Sequence, residues 1–192
     1  MNLEGKMTID KTAIVEGTNQ LEEGVLIGPY CSVKDIKIGR NTKLFRYINA
    51  YDCEIGADVK VGGFTEIQGG AKIGDRVILS SHSFICDLAT IGNDVFIGHG
   101  VMTINDLYPP SQRRTGSSSH WQRTLIGNGV VIGSNSTLFP IVIGDRAVIG
   151  AGSVVRKDVP AGQVWAGNPA KYICDTKDLK YEDGTYVFPE LT

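Results

Sequence analysis

Of the three histidines in this 192-residue chain, His82 and His99 break into an otherwise regular apolar rhythm. Imidazole exchanges a proton near neutral pH, so a histidine on a protein surface is a candidate general base. Asp87 follows His82 by five residues and Asn105 follows His99 by six, and either could steady His82. Metal chemistry fits less well. Zinc sites take three protein ligands, and His120, the remaining histidine, has no H-x-x-x-H partner. Cys31, Cys53, Cys86 and Cys174 form no CxxC pair and no zinc spacing, so no metal is expected.

The rhythm explains how such residues would be positioned. Ile55, Val61, Ile67, Ile73, Leu79, Ile85, Ile91 and Ile97 recur every sixth residue. Glycine follows this apolar residue at 28, 39, 56, 62, 74, 92, 98, 127, 133, 144 and 150, and a small or β-branched residue comes four after it. Strands have period two and helices 3.6, so a six-residue unit needs a short strand plus a tight corner. Three units close a triangular coil of 18 residues: an all-β parallel β-helix of hexapeptide repeats. The branched side chains would stack on one another about 4.8 Å apart along the axis, and the glycine would serve the unusual backbone of the corner.

A single domain is expected over 1–192, with a lead-in at 1–20, the β-helix over 21–160 and a C-terminal segment at 161–192. The step 132–138–143 is one residue short, beside Pro140. A stretch without the period, about 102–124, contains Pro-Pro and a serine run and reads as an excursion that leaves the coil and returns. "LKYEDGTYVF" reads as a short hairpin around Asp183-Gly184.

An 18-residue ruler places Ser81 under His99, and His82 above Phe64 and Arg46. It puts Asp87 between Asn105 and Gly69, with Tyr51 below. His82, His99, Asp87 and Asn105 would then converge on one patch at the root of the excursion. Four of the six repeat positions face outward, so a solvated polar surface would look the same for any one of these residues.

The bulk properties exclude several classes. The net charge is −2 and the pI near 5.9, which argues against nucleic-acid binding. No apolar run reaches the roughly 18 residues of a membrane span. The segment MNLEGKMTID is unlike a signal peptide, so a cytoplasmic protein is expected.

"SSHSFICDLATIGNDVFIGHGVMTINDLYPP" and "VIGAGSVVRKDVPAGQVWAGNPAK" resemble the hexapeptide-repeat acyltransferases. Within these the chain most resembles the nucleotide-linked amino-sugar N-acetyltransferases, especially those acting on dTDP-3-amino-3,6-dideoxyhexoses. The resemblance covers roughly residues 10–173 and implies a left-handed coil. It also implies a homotrimer, with acetyl-CoA in the groove between neighbouring prisms and a sugar nucleotide near the N-terminal coils. It carries over a cofactor-binding set of Gly100, Ser134, Ala151 and Gly152, where small residues admit the cofactor. Arg156, Lys157 and Lys171 would meet phosphates, and Asn168-Pro169 would form a turn near the adenine. His82 would accept the amine proton, steadied by Asp87 or Asn105, or else orient the amine. A backbone N–H near His99 and Gly100 would stabilise the oxyanion. Arg46, Tyr47, Asn49, Tyr51, Glu66 and Gln68, with Phe45 and Asp52, would serve sugar and nucleotide: Tyr47 and Phe45 by stacking on the base, Arg46 by pairing with pyrophosphate. The rival expectations are an O-acetyltransferase of the serine, galactoside or xenobiotic type, a non-catalytic β-helix scaffold and, most distantly, a zinc hydratase.

Overall fold

A computed structural model describes residues 6–108 and 118–187. The chain winds through short strands into three parallel sheets that form the faces of a prism. Face 1 has ten strands, from Thr8–Ile9 to Ala170–Asp175; face 2 has eight, from Ile14–Glu16 to Val154–Val155; face 3 has seven, from Gln20–Leu21 to Val142–Ile143. Each coil visits faces 1, 2 and 3 in turn, and the fold is the left-handed parallel β-helix of hexapeptide repeats.

The core is the stack that the period demands. Ile27, Leu44, Leu79, Ile97 and Ile132 from face 1 meet Ile67, Ile85 and Leu138 from face 2 and Ile38 and Ile143 from face 3, all essentially without solvent exposure. Burying each such side chain contributes on the order of 1.5–3 kcal/mol. Hydroxyls at the small inward position are satisfied within the wall. Thr42 Oγ1 donates to the Gly56 carbonyl at 2.7 Å and Ser83 Oγ to the Ser80 carbonyl at 2.9 Å. Cys31, Cys53 and Cys86 are buried packing residues, and burial pushes the Cys53 thiol up to about 12.

Glycine has a different reason from the one expected. The glycines that directly follow the apolar residue do not adopt left-handed backbone; they sit where successive coils nearly touch. A Cβ on Gly62 would lie 2.5 Å from the Ser81 nitrogen, and one on Gly98 would lie 2.6 Å from the Ser134 nitrogen. The left-handed position comes two residues later, and non-glycine residues such as Tyr47, Phe64, His82 and Asp94 hold it at φ from 56° to 63°.

The ruler also needs correction. Lys60 pairs with Ile78, Glu66 with Phe84 and Phe84 with Met102, steps of 18. Below these coils Lys60 pairs with Lys43 and Glu66 with Asn49, steps of 17, and the step returns to 17 above the excursion, where Leu125 pairs with Val142. The missing residue belongs to the corner between faces 2 and 3. Three residues separate the inward Ile67 and Ala71 there, but two separate Ala50 and Cys53, and two separate Leu138 and Ile141.

The ends differ from the expected segments as well. Thr8–Ile9 and Ile14–Glu16 already pair with Leu26–Ile27 and Ser32–Lys34, so coiling begins inside the expected lead-in. Met102–Thr103 is still a face 2 strand, and the wall resumes at Leu125–Ile126. The excursion is therefore shorter than 102–124, and its middle, residues 109–117, lies outside the described residues. The segment after Pro160 contains an antiparallel hairpin, Gln163–Gly167 with Ala170–Asp175, that extends face 1. The hairpin expected around Asp183-Gly184 has an antiparallel bridge between Lys180 and Tyr186.

Candidate functional site

The three corners have distinct chemistry. Between faces 3 and 1, Asp and Asn side chains form a ladder: the N–H groups of Ala57, Asp75, Asn93 and Asn128 donate to Oδ1 of Asp75, Asn93, Asn128 and Asp145 at 2.8–2.9 Å. Each buttresses one coil on the next. Between faces 1 and 2 the matching positions are Gly63, Ser81, His99, Ser134 and Ala151. Here the His99 N–H donates to Ser134 Oγ at 3.1 Å, whereas the N–H groups of Gly63, Ser81, Ser134 and Ala151 find no acceptor among the described residues. A row of unspent backbone donors therefore runs up this corner.

The two histidines sit on it. Ser81 Oγ and His99 Nδ1 are 2.9 Å apart, which puts His99 directly over Ser81 as the ruler requires. His82, the next residue, occupies the left-handed position with its N–H donating to the Gly63 carbonyl at 3.0 Å. Beneath it, aromatic rings stack coil on coil. Ring centroids are 5.1 Å apart for Tyr30–Tyr47, 4.9 Å for Tyr47–Phe64 and 5.0 Å for Phe64–His82, with interplanar angles of 8°, 13° and 20°. The 17-residue step below Phe64 thus puts Tyr47, not Arg46, under it. Both faces of Tyr47 are covered, which leaves no face for a nucleotide base, while Phe45 stays exposed on the neighbouring position. Arg46 lies in the donor row below Gly63, and its guanidinium makes no ion pair among the described residues.

The oxyanion donors expected near His99 and Gly100 are both spent: the Gly100 N–H donates to the Ser81 carbonyl at 3.1 Å and the His99 N–H to Ser134. The free donors are the neighbouring Ser81 and Ser134. Sequence reasoning placed Ser134 with the cofactor and Ser81 under His99 but gave neither N–H this role, although the absence of Asp or Asn at these positions of this corner is a readable signal.

Asp87 and Asn105 lie elsewhere. They fall at the corner between faces 2 and 3, across the Phe84–Ile85 strand from His82, and neither hydrogen-bonds to it among the described residues. The four residues therefore border face 2 from opposite edges instead of forming one cluster. The Asn105 carbonyl accepts the Gln122 N–H at 2.8 Å and closes the root of the excursion. Asp87 instead groups with residues expected to meet the sugar. Its Oδ1 would lie 3.2 Å from a Cβ on Gly69, whose other neighbours are Asp52 and Tyr51, and Gln68 Nε2 donates to Glu66 Oε1 at 2.9 Å one strand position away. Asn49 pairs with Glu66 on face 2. Burial pushes the Asp87 carboxyl above its ordinary range, with the Glu66 charge adding to it; burial, then Asp87 and Glu66, pushes the Tyr51 phenol up.

At the C-terminal end Arg156, Lys157 and Lys171 meet around a cavity of about 430 Å³, walled also by Trp165, Pro169, Ala170 and Tyr172. Arg156 packs over the Phe139 ring at 5.2 Å. Asn168-Pro169, a cis bond, forms the turn of the adjoining hairpin, and Pro169 reaches the cavity wall. Ser134, Ala151 and Gly152 lie on the corner between faces 1 and 2, and a Cβ on Gly152 would meet nothing within 4 Å. Three cations around one cavity suit phosphate groups, and open, small-residue corners suit a long amide-bearing chain. Among the described residues no three His, Cys, Asp or Glu side chains gather as a metal site, and no helix is long and apolar enough to cross a membrane.

These repeats are those of the hexapeptide-repeat transferases. The family model for the bacterial transferase hexapeptide matches residues 52–87, and that for the hexapeptide repeat of succinyl-transferase matches residues 123–157. The chain is similar to the bifunctional protein GlmU of Methylibium petroleiphilum, with 32% identity over 173 residues, 81% of this chain and 35% of the relative. It is 35% identical to GlmU of Heliobacterium modesticaldum over 167 residues, 78% of this chain and 34% of the relative. It thus spans about a third of the length of these curated relatives. In fold it is similar to the UDP-N-acetylglucosamine acyltransferase of Francisella novicida (TM-score 0.69, 17% identity, 86% of this chain and 69% of that one). The Moraxella catarrhalis UDP-N-acetylglucosamine O-acyltransferase gives a TM-score of 0.59 with 22% identity, covering 91% of this chain and 79% of that one.

Proposed function

We propose that this protein transfers an acetyl group from acetyl-CoA to the amine of a nucleotide-linked amino-deoxysugar, of the dTDP-3-amino-3,6-dideoxyhexose type, as a cytoplasmic homotrimer. The observation that carries the reading is the corner between faces 1 and 2, where His82 and His99 stand beside backbone donors that nothing in the described fold uses. The cationic cavity at the same end as Ala151 and Gly152 supports a phosphate-bearing acyl donor.

The chemistry follows from these groups. The amine nitrogen of the sugar attacks the thioester carbonyl, the carbon–sulfur bond breaks, and the thiolate leaves. His82 takes the proton that the amine loses and returns it to the departing thiolate. The N–H of Ser81 or Ser134 donates to the oxyanion, which is where preorganised donors lower a barrier most. Holding the thioester at this corner, with the sugar lying across face 2, would supply proximity. Asn49, Tyr51, Glu66, Gln68 and Asp87 would line the sugar side of face 2, while Arg156, Lys157 and Lys171 would hold phosphates of the donor.

The test is thiol release from acetyl-CoA with a panel of nucleotide-linked amino sugars and their hydroxyl counterparts. Release with an amino sugar alone supports the reading; release with hydroxyl acceptors alone replaces it with O-acetylation. His82→Ala should lower kcat by roughly 10²–10⁴, and a loss below tenfold in a folded variant removes His82 from the proton-accepting role.

A further inference from the structure

At the left-handed corner position between faces 3 and 1 the fold uses glycine or a polar or charged residue. Gly24, Asn41, Asp58, Arg76 and Asp94 hold it there. Between faces 1 and 2 the same position holds Tyr30, Tyr47, Phe64 and then His82. The first three are exposed at 57%, 44% and 55%, so they do not serve the core. Their rings repeat at 4.9–5.1 Å, close to the coil spacing, and the column ends on the imidazole.

A catalytic histidine is ordinarily held by a hydrogen bond from its second ring nitrogen, often to a backbone carbonyl or a carboxylate. His82 has none: its ring makes no hydrogen bond among the described residues, and Asp87 stands across face 2. What touches the ring is Phe64, at 5.0 Å and 20° between planes. Phe64 in turn stacks on Tyr47, and Tyr47 on Tyr30, so the Phe64 ring has an aromatic neighbour on each face.

We propose that Phe64, backed by Tyr47 and Tyr30, is a positioning residue that fixes the ring plane of His82 by stacking, in place of a carboxylate. The proposal rests on the reading of His82 as the proton acceptor. Stacking leaves both ring nitrogens free, one for the amine and one for solvent, and constrains the plane without fixing which nitrogen carries the proton.

The test compares Phe64→Leu, which keeps apolar bulk but removes the ring face, with Phe64→Tyr, which restores it. Folding of both is checked by thermal melting. With acetyl-CoA and the accepted amino sugar, Phe64→Leu should lower kcat about tenfold with KM for acetyl-CoA within twofold of the parent, and Phe64→Tyr should recover kcat. Carbon-13 relaxation at His82 Cε1 should show an ordered ring in the parent and Phe64→Tyr, and a mobile one in Phe64→Leu. Unchanged kcat in Phe64→Leu, where His82→Ala costs tenfold or more, overturns the proposal, as does an equally ordered ring in all three proteins. If His82→Ala costs less than tenfold, the proton-accepting role fails by itself. The relaxation comparison then still decides whether stacking holds the ring.

Discussion

Asp87 shows how a single residue can carry a cost that the fold does not need. Burial and the neighbouring Glu66 charge raise its carboxyl above the ordinary carboxylate range. Folding therefore favours the protonated form relative to the unfolded chain. Below the unfolded pKa both states hold a neutral group and there is no penalty; as pH rises through the folded pKa the penalty appears in full. Asp87→Asn should then raise the thermal midpoint at pH 7, with the gain shrinking toward zero near pH 3, as scanning calorimetry at several pH values would read. A gain independent of pH would mean that packing, not charge, sets the cost. The Tyr51 phenol, raised first by burial, belongs to the same group of charges, because Asp87 and Glu66 also disfavour its ionisation. Removing the Asp87 charge acts on both.

At the scale of the repeat, two kinds of glycine look identical in sequence and differ in space. Gly98 has ordinary backbone, but a Cβ there would meet the Ser134 nitrogen at 2.6 Å and the Ile132 carbonyl oxygen at 2.9 Å, backbone atoms that cannot swing aside. Gly152 has φ +69° with nothing within 4 Å of a Cβ. Gly98→Ala should cost about 3 kcal/mol or more as overpacking against a rigid wall, and Gly152→Ala only about 1 kcal/mol of left-handed strain. Urea unfolding of the two variants checks the order, and equal costs would contradict it. The period itself was fully legible, because every inward Ile, Leu or Val reports a strand and every six residues a corner. The 17-residue steps were less so: a corner that is one residue shorter, as at Tyr51-Asp52 against Gln68-Gly69-Gly70, leaves the apolar pattern almost intact. That small slip moves Tyr47 under Phe64 in place of Arg46 and so hides the ring column. The separation of His82 from Asp87 was hidden differently. A shared coil says nothing about which corner a residue occupies until the strand between, Phe84–Ile85, is recognised as a full face.

Over the whole molecule the coils contact chiefly their neighbours, so stability is closer to a sum along an axis than to that of a single globular core. The two ends are not equivalent. Thr8–Ile9 and Ile14–Glu16 are exposed throughout and, among the described residues, pair on one side alone, with Leu26–Ile27 and Ser32–Lys34. At the far end the hairpin Gln163–Gly167 and Ala170–Asp175 lies over the Val148–Ile149 strand and buries Val164. Opening should therefore start at the N-terminal coil and be resisted at the other end and in the middle. In native-state hydrogen exchange the amides of Thr8 and Ile14, which donate to Val25 and Cys31, should exchange about a hundredfold faster than those of Gln68 and Phe84, which donate to Ile85 and Val101. The Val164 strand should stay near the central value. Uniform protection along the axis would mean that the prism opens as one unit. The aromatic column and His82 would then draw their rigidity from the whole wall, not from the coils immediately around them.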